Sequence, residues 1–463
     1  MGTGSTLFAI LIVGLGVFSY VKIKPIFDVP EKPDLGEPWW KVSKPTKVDT
    51  SIRPFKIQVS NEILKDLKDR LDRALPFQKS LEGVKQHYGM NDKLLTSIID
   101  FWKTKYNWTQ REKILNQYPQ FKTNIQGLDI HYIHVKPAQT QGIKVLPLLM
   151  VHGWPGSVRE FYEIIPILTT PKKGQNFVFE LIIPSLPGYG FSEAAEVPGL
   201  NTHQMAVIFK NLMTRLGFEK FYVQGGDWGG IIVSSLAVFF PEKIIGMHSN
   251  MCFVNTPLSN IKLALGSYYP SLIIEEEHQH LVYPRMEKIG NLFLETGYLH
   301  IQATKPDTVG VALRDSPVGL AAYILEKFTT WTNPDWKDLE DGGLTKKYKM
   351  ENLLDNIMIY WVTRSITTSQ RLYAESFSKA TMSLQIDSIP TDVPSACAAF
   401  KHDLTLIPPS LLKEKYTNLL QSNILDGGHF AAFEVPQVLA TDVFEFVTKV
   451  ENLSQKPKSS PTN

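Results

Sequence analysis

Gly225-Gly226-Asp227-Trp228-Gly229 is the stretch from which the fold of this chain is read. It follows a strand-like run, Lys220-Phe-Tyr-Val-Gln224, and precedes a helix-like one, Ile231-Ile-Val-Ser-Ser-Leu-Ala-Val-Phe239. Strand, sharp turn and helix form the setting of a nucleophile elbow. The strained turn lifts the central side chain above the sheet, and only small flanking residues fit. A carboxylate at the centre, where serine is usual, changes the chemistry. Attack by Asp on a carbonyl gives a labile anhydride, whereas attack on an sp³ carbon gives an ester that water cleaves later. The aspartate therefore points to alkyl transfer, from epoxides or alkyl halides, rather than to ester or peptide hydrolysis. Taken alone, the five residues also fit a plain glycine-rich turn.

The flanking sequence favours the elbow. Upstream, Val145-Leu-Pro-Leu-Leu-Met-Val151 reads as a short buried strand that runs into His152-Gly153-Trp154-Pro155-Gly156, with a helix-like segment from Val158 to Leu168 behind it. In hydrolases of this architecture the loop after that strand supplies one oxyanion-hole N–H, and the residue after the nucleophile supplies the other. The expected donors are the backbone amides of Trp154 and Trp228, while Pro155 has no N–H and stiffens the loop. A further strand ending in Pro184-Ser-Leu-Pro-Gly-Tyr-Gly-Phe-Ser192 and a helix complete the order before the elbow. The order predicts an α/β-hydrolase fold: a mostly parallel central sheet flanked by helices, with a helical lid inserted late.

A base must follow. Asn423-Ile-Leu-Asp-Gly-Gly-His429 reads as a short strand ending in a Gly-Gly loop with an exposed histidine. The chain order for this fold is nucleophile, acid, histidine. Position alone selects His429 from eleven histidines. As a neutral imidazole it would deprotonate the water that attacks the alkyl-enzyme ester. Asp387, Asp392, Asp403 and Asp426 are candidates for the orienting acid, with Glu375 further off. Asp426 reads as a turn residue before Gly427-Gly428. Asp403 follows the strand-like Ser395-Ala-Cys-Ala-Ala-Phe400 and is the natural third member.

These motifs resemble the epoxide hydrolases of the α/β-hydrolase superfamily, specifically the microsomal branch, and within it the juvenile hormone epoxide hydrolases of insects. The resemblance spans roughly residues 30–436. It is strongest at His-Gly-Trp-Pro (152–155), Gly-Gly-Asp-Trp-Gly (225–229), Gly-Gly-His-Phe (427–430) and a block from Glu295-Thr-Gly-Tyr298 through Phe328. It implies Asp227 as nucleophile, His429 as base, and Tyr298 and Tyr373 as lid acids. Epoxide opening leaves an alkoxide that needs a proton donor opposite the nucleophile, and a phenol serves. Chemistry alone does not choose these two from seventeen tyrosines. One departure concerns the acid: the mammalian-type branch has Glu where Phe400-Lys-His-Asp-Leu404 carries the shorter Asp403. The implied reaction turns lipophilic epoxides, such as juvenile hormone or related terpenoid and xenobiotic epoxides, into diols without a cofactor. The rivals are a haloalkane dehalogenase-type hydrolase and a non-catalytic carrier of hydrophobic ligands.

The remainder is consistent with an enzyme of this size. The chain has 463 residues and a net charge of +2, and its interspersed charges give no nucleic-acid footprint. Cys252 and Cys397, the only cysteines, read as separate buried thiols in a reducing compartment. His278-Gln-His280 lacks a zinc-type ligand pattern, so no metal is expected. Residues 1–22 read as a membrane anchor: Thr3 to Val21 carries no charge, and Lys22 and Lys24 follow directly. The positive-inside rule then puts the body on the cytosolic face. With the microsomal resemblance, that face belongs to the endoplasmic reticulum. Met1-Gly2 through Thr6 also fits a myristoylation pattern, redundant beside a span, and the sequons at Asn107 and Asn452 would go unused. Residues 23–120 form an N-terminal segment that the resemblance wraps over core and lid. The first part of the core is expected at 121–252, the lid at 253–387, the second part of the core at 388–453, and a disordered polar tail at 454–463.

Overall fold

The computed structural model describes residue 24 and residues 28–138 and 142–455. Nine strands are present among them: β1 (Arg53–Phe55), β2 (Gln120–Ile125), β3 (Leu128–Val135), β4 (Lys144–Val151), β5 (Phe177–Pro184), β6 (Phe221–Gly225), β7 (Ile244–Ser249), β8 (Ser395–Phe400) and β9 (Leu419–Leu425). They form one sheet in the order β1-β2-β3-β5-β4-β6-β7-β8-β9. The pairings from β1 to β5 are antiparallel, and those from β5 across to β9 are parallel. The parallel strands are covered on both faces, which explains runs as apolar as Val-Leu-Pro-Leu-Leu-Met-Val in β4. The β2–β3 hairpin turns at Gln126-Gly127, where φ is 51° and 93°, the conformation that a two-residue hairpin loop favours.

The flanking helices are capped as their sequences suggest. Between β1 and β2 come α1 (Asn61–Asp72), α2 (Asp92–Thr104) and α3 (Trp108–Leu115), whose first turns bond to Ser60, Asn91 and Asn107 respectively. The sequon residue Asn107 is thus already engaged as a cap. α4 (Thr202–Arg215) and α5 (Trp228–Phe239) flank the elbow. Between β7 and β8 lies the helical insertion: α6 (Pro257–Gly266), α7 (Arg285–Glu295), α8 (Gly297–Thr304), α9 (Pro306–Asp315), α10 (Pro317–Thr330), α11 (Met350–Thr363) and α12 (Ile366–Ser376). The chain closes with α13 (Ala431–Glu434) and α14 (Pro436–Gln455).

Buried polar contacts fasten the N-terminal segment to the rest. Asp355 on α11 is fully buried and accepts from Tyr106 Oη (2.9 Å), Arg111 Nε (2.8 Å) and Arg159 Nε (2.9 Å). One carboxylate therefore joins α11 to the segments on either side of the first hairpin. Trp40 is buried and its amide donates to Gln126 O at 3.0 Å, while Trp39 packs on Gly127, so the Trp pair is a docking contact.

Four expectations change. The segment after the Trp154 loop is not one helix but two short pieces, Val158–Phe161 and Ile165–Thr169, because Pro166 starts a new turn. The sheet gains β1 from the N-terminal segment, a strand too short to show alternation. Cys252 and Cys397 are not separate thiols but a disulfide. They lie 145 residues apart in sequence, yet β7 and β8 are neighbours, with Ser249 opposite Cys397, so their Cα atoms come within 5.7 Å. The expected reducing compartment loses that support. The anchor at 1–22 lies outside the described residues, as does the tail from 456. The residues of the tail that are described, Ser454 and Gln455, still belong to α14. Among the described residues, no helix is long and apolar enough to cross a membrane.

Candidate active site

β6 delivers Gly225 to the top of the sheet, and the chain reverses through Asp227 into α5. Asp227 holds φ 51° and ψ −132°, a conformation that costs an L-residue about 1–3 kcal/mol. It persists because both flanks are clamped. A Cβ on Gly229 would collide with the Val151 carbonyl, so glycine is required where the elbow passes the end of β4. The strain aims the Asp227 carboxylate out of the helix toward the loop after β4.

That loop meets it. The Trp154 amide donates to Asp227 Oδ1 at 2.8 Å. Gly153 leaves room for the carboxylate, since a Cβ there would overlap it. His152, whose role the sequence did not suggest, staples the loop: its Nε2 accepts from the Leu186 amide (3.1 Å) and its Nδ1 bonds the Gly153 carbonyl (2.9 Å). Burial lowers its pKa to about 4, so it is neutral and serves only as this staple. From the lid, Asn356 Nδ2 donates to Pro155 O (2.8 Å) and Tyr360 Oη to Gly156 O (2.7 Å). The second expected amide donor, Trp228, occupies the first turn of α5 directly after Asp227.

His429 follows β9 and faces the carboxylate. It was expected to be exposed; it is 4% exposed, roofed by the Trp331 ring at 5.0 Å and its own neighbour Phe430. Lid packing, invisible in the local sequence, buries it. Nδ1 lies 2.7 Å from Asp403 Oδ1. Nε2 is 3.3 Å from Asp227 Oδ2, within ion-pair range but without hydrogen-bond alignment, and has no other partner. Burial opposes a charge on the imidazole, but Asp403 and Asp227 on either side more than offset it and raise its pKa well above the usual value.

The shorter Asp403 reaches because its turn is drawn inward. His402 N bonds Gly427 O at 3.0 Å, and Asp403 N bonds Phe400 O at 2.9 Å. The other acids stand elsewhere: Asp426 pairs with Lys401 at 2.5 Å on the surface, Asp387 with Lys415 at 3.6 Å, and Glu375 accepts from the Gly199 amide. Asp392 contributes only its carbonyl, to Asn418. Glu434, which the sequence did not flag, accepts from the amides of Gly428 (3.0 Å) and Phe430 (3.1 Å) and so fixes the loop on both sides of His429. Its burial pushes its pKa up to about 8.

Across from Asp227, Tyr298 on α8 and Tyr373 on α12 line the same cavity of about 590 Å³. Trp154 stacks on Tyr298 (5.3 Å between centroids, 8° between planes), and Trp228 meets Tyr373 edge-on at 4.7 Å. Burial, with the Asp227 charge adding to it, raises both phenols above their ordinary range, so they are protonated donors at neutral pH. Apolar side chains such as Ile231, Met251, Phe253, Leu292 and Phe377 form much of the wall. His278 sits at the lid surface beside Glu275 and Glu277, and no cluster that could hold a metal occurs among the described residues.

A mostly parallel sheet with an elbow, an amide-donating loop and an acid–histidine pair after the final strands defines an α/β-hydrolase. Comparison with known proteins agrees. A family model described as "Epoxide hydrolase N terminus" matches residues 52–161, and one described as "alpha/beta hydrolase fold" matches residues 147–435. Juvenile hormone epoxide hydrolase 1 of Ctenocephalides felis is 55% identical over 97% of this chain and 96% of its own. Epoxide hydrolase 1 of Oryctolagus cuniculus is 47% identical over 92% and 95%. The crystal structure of juvenile hormone epoxide hydrolase from the silkworm Bombyx mori, 51% identical, superposes with a TM-score of 0.89 over 91% of this chain and all of that one. The chain belongs to the epoxide hydrolase family, and its activity is epoxide hydrolysis.

Proposed function

We propose that this enzyme opens lipophilic terpenoid epoxides of the juvenile hormone type in two covalent steps. Asp227 Oδ2 attacks an epoxide carbon and the C–O bond breaks, while Tyr298 and Tyr373 hold the departing oxygen and one of them protonates it. The product is an alkyl ester on Asp227. Water activated by His429, which Asp403 orients, then adds to the ester carbon. Charge on Oδ1 is held by the amides of Trp154 and Trp228, and collapse releases the diol. Two amide donors of this kind are each worth about 10²–10³ in rate.

The observation that carries this reading is the placement of two protonated phenols opposite Asp227 in one cavity. A halide-releasing enzyme has no use for proton donors there, and a carrier has no use for a buried acid–histidine pair. The electrostatics favour the same sequence of events. In the resting enzyme His429 lies between two carboxylates, which favours the imidazolium. Esterification removes the Asp227 charge, so the imidazole sheds its proton when a base is needed. The apolar cavity suits a terpenoid chain, and relatives from Ctenocephalides felis and Bombyx mori carry the juvenile hormone name. The uncharged stretch from Thr3 to Val21, followed by Lys22 and Lys24, supports an anchor in the endoplasmic reticulum membrane with the catalytic body facing the cytosol.

The test is His429→Gln incubated with a juvenile-hormone-type epoxide, followed by intact and peptide mass measurement. A gain equal to the substrate mass on the Asp227 peptide is expected. If wild type yields no diol from such epoxides, and the variant gains no mass, the substrate reading is wrong.

A further inference from the structure

Asp227 also lines a second, smaller cavity of about 20 Å³, enough for one water. Asp227, His429, Asn250 and Glu160 line it, together with Gly153 and Gly156. Asn250 Oδ1 is taken by Gln224 Nε2 at 2.8 Å, leaving its amide nitrogen against Gly226. His429 Nε2 is buried and has no hydrogen-bond partner. The Glu160 carboxyl packs on Gly156 and makes no hydrogen bond to any protein group among the described residues. Four polar groups thus surround a space for one water molecule, and two of them otherwise lack a partner.

From this arrangement we infer that Glu160 holds the hydrolytic water against the Asp227 ester, making it a catalytic residue of the second half-reaction only. The inference rests on the two-step reading above. The water gives one proton to His429 Nε2 and donates its other hydrogen to a Glu160 oxygen. That leaves a lone pair directed at the Asp227 carbonyl carbon. The new C–O bond forms as Oδ1 takes up the charge; the bond to the alkyl oxygen then breaks, and that oxygen recovers the proton from His429. Asp227 is left as the carboxylic acid with one oxygen from water. Its remaining proton passes to the tyrosine phenolate left by the first step, which restores both the Asp227 carboxylate and the phenol. Burial, reinforced by the charge of Asp227, pushes the Glu160 pKa up to about 8, so at neutral pH it is an uncharged carboxyl. An uncharged acid can accept from water without adding a second anion beside the nucleophile. Glutamine has the same shape and the same carbonyl acceptor, so it should substitute.

The experiment is single-turnover kinetics with a juvenile-hormone-type epoxide, resolving ester formation from ester hydrolysis, on wild type, Glu160→Ala, Glu160→Gln and Gly156→Ala. The last variant leaves Glu160 in place but puts a Cβ where its carboxyl lies. Ester formation is expected within about threefold of wild type in all three, which also reports an intact fold. Hydrolysis should slow by about 10² in Glu160→Ala and Gly156→Ala, so that ester accumulates on Asp227, and Glu160→Gln should stay within about fivefold, on the scale of one positioned acid–base contact. Hydrolysis near the wild-type rate in either alanine variant overturns the inference, as does an equal loss in both steps. Should Glu160→Ala not fold, Gly156→Ala decides. Wild type forming ester normally separates either failure from a failure of the two-step reading.

Discussion

Replacing Asp403 by Asn removes one charge and almost no volume. Asp403 Oδ1 lies 2.7 Å from His429 Nδ1 and also accepts from the Leu404 amide at 2.7 Å. That amide should keep the oxygen of an asparagine turned toward the imidazole, so the working tautomer survives and only the charge assistance is lost. A hydrogen bond to a charged group contributes about 1.5–3 kcal/mol, or roughly 10- to 150-fold in rate. The loss should fall on ester hydrolysis, because ester formation needs the tyrosines rather than the base. The sign of the pH effect follows from the same contact. Asp403 raises the His429 pKa, and hydrolysis needs the neutral imidazole, so its rate climbs with pH through that pKa. Without the Asp403 charge the climb should come at lower pH. Rapid-quench measurement of both steps between pH 5 and 9 tests this. Equal slowing of the two steps, or a midpoint that stays or moves upward, would refute the reasoning.

Tyr298→Phe and Tyr373→Phe should each slow ester formation by about 10-fold or more, with the double variant near inactive, measured as diol production and as ester on Asp227. Wild-type ester formation should show no loss up to about pH 9, since burial raises both phenols. Gly153→Ala should lose activity by more than about 10² while keeping its circular dichroism spectrum, because the added methyl overlaps the Asp227 carboxylate. Glu434 has a raised pKa, so the folded state binds its proton more tightly than the unfolded chain does. Between about pH 4.5 and 8, therefore, stability falls as pH rises. Glu434→Gln should escape that cost, and its melting temperature should gain on wild type from pH 5 to pH 9.

The elbow, the Trp154 loop and the Gly-Gly-His loop were legible because each depends on contiguous residues whose backbone demands are local. Glycine flanks, a strand before and a helix after can be read in a few positions. Asp403 was legible only through chain order, and what makes it reach, the bond from His402 N to Gly427 O, joins residues 25 apart. The burial of His429 depends on Trp331, contributed by the lid. The roles of His152 and Glu160 depend on Leu186 and on Asp227 and His429, all distant in sequence, while Glu434 acts within its own loop through backbone amides that no side-chain pattern marks. Nothing in the local pattern around Glu160 distinguishes it from a surface glutamate. The disulfide escaped for the same reason, since the register of β7 against β8 is a tertiary fact. The tyrosines were found by resemblance, which reports three-dimensional placement that periodicity cannot.

The disulfide between Cys252 and Cys397 joins the point where the chain leaves the sheet for the lid to the point just after its return. The lid is therefore a closed covalent ring rather than an open insertion. Asp227 lies before this ring, and Asp403 and His429 lie after it. A protease that cuts α7, where Met286, Phe293 and Leu294 stand exposed, would sever the main chain between nucleophile and base without parting them. The nicked protein would run as one band on a non-reducing gel and as two after reduction.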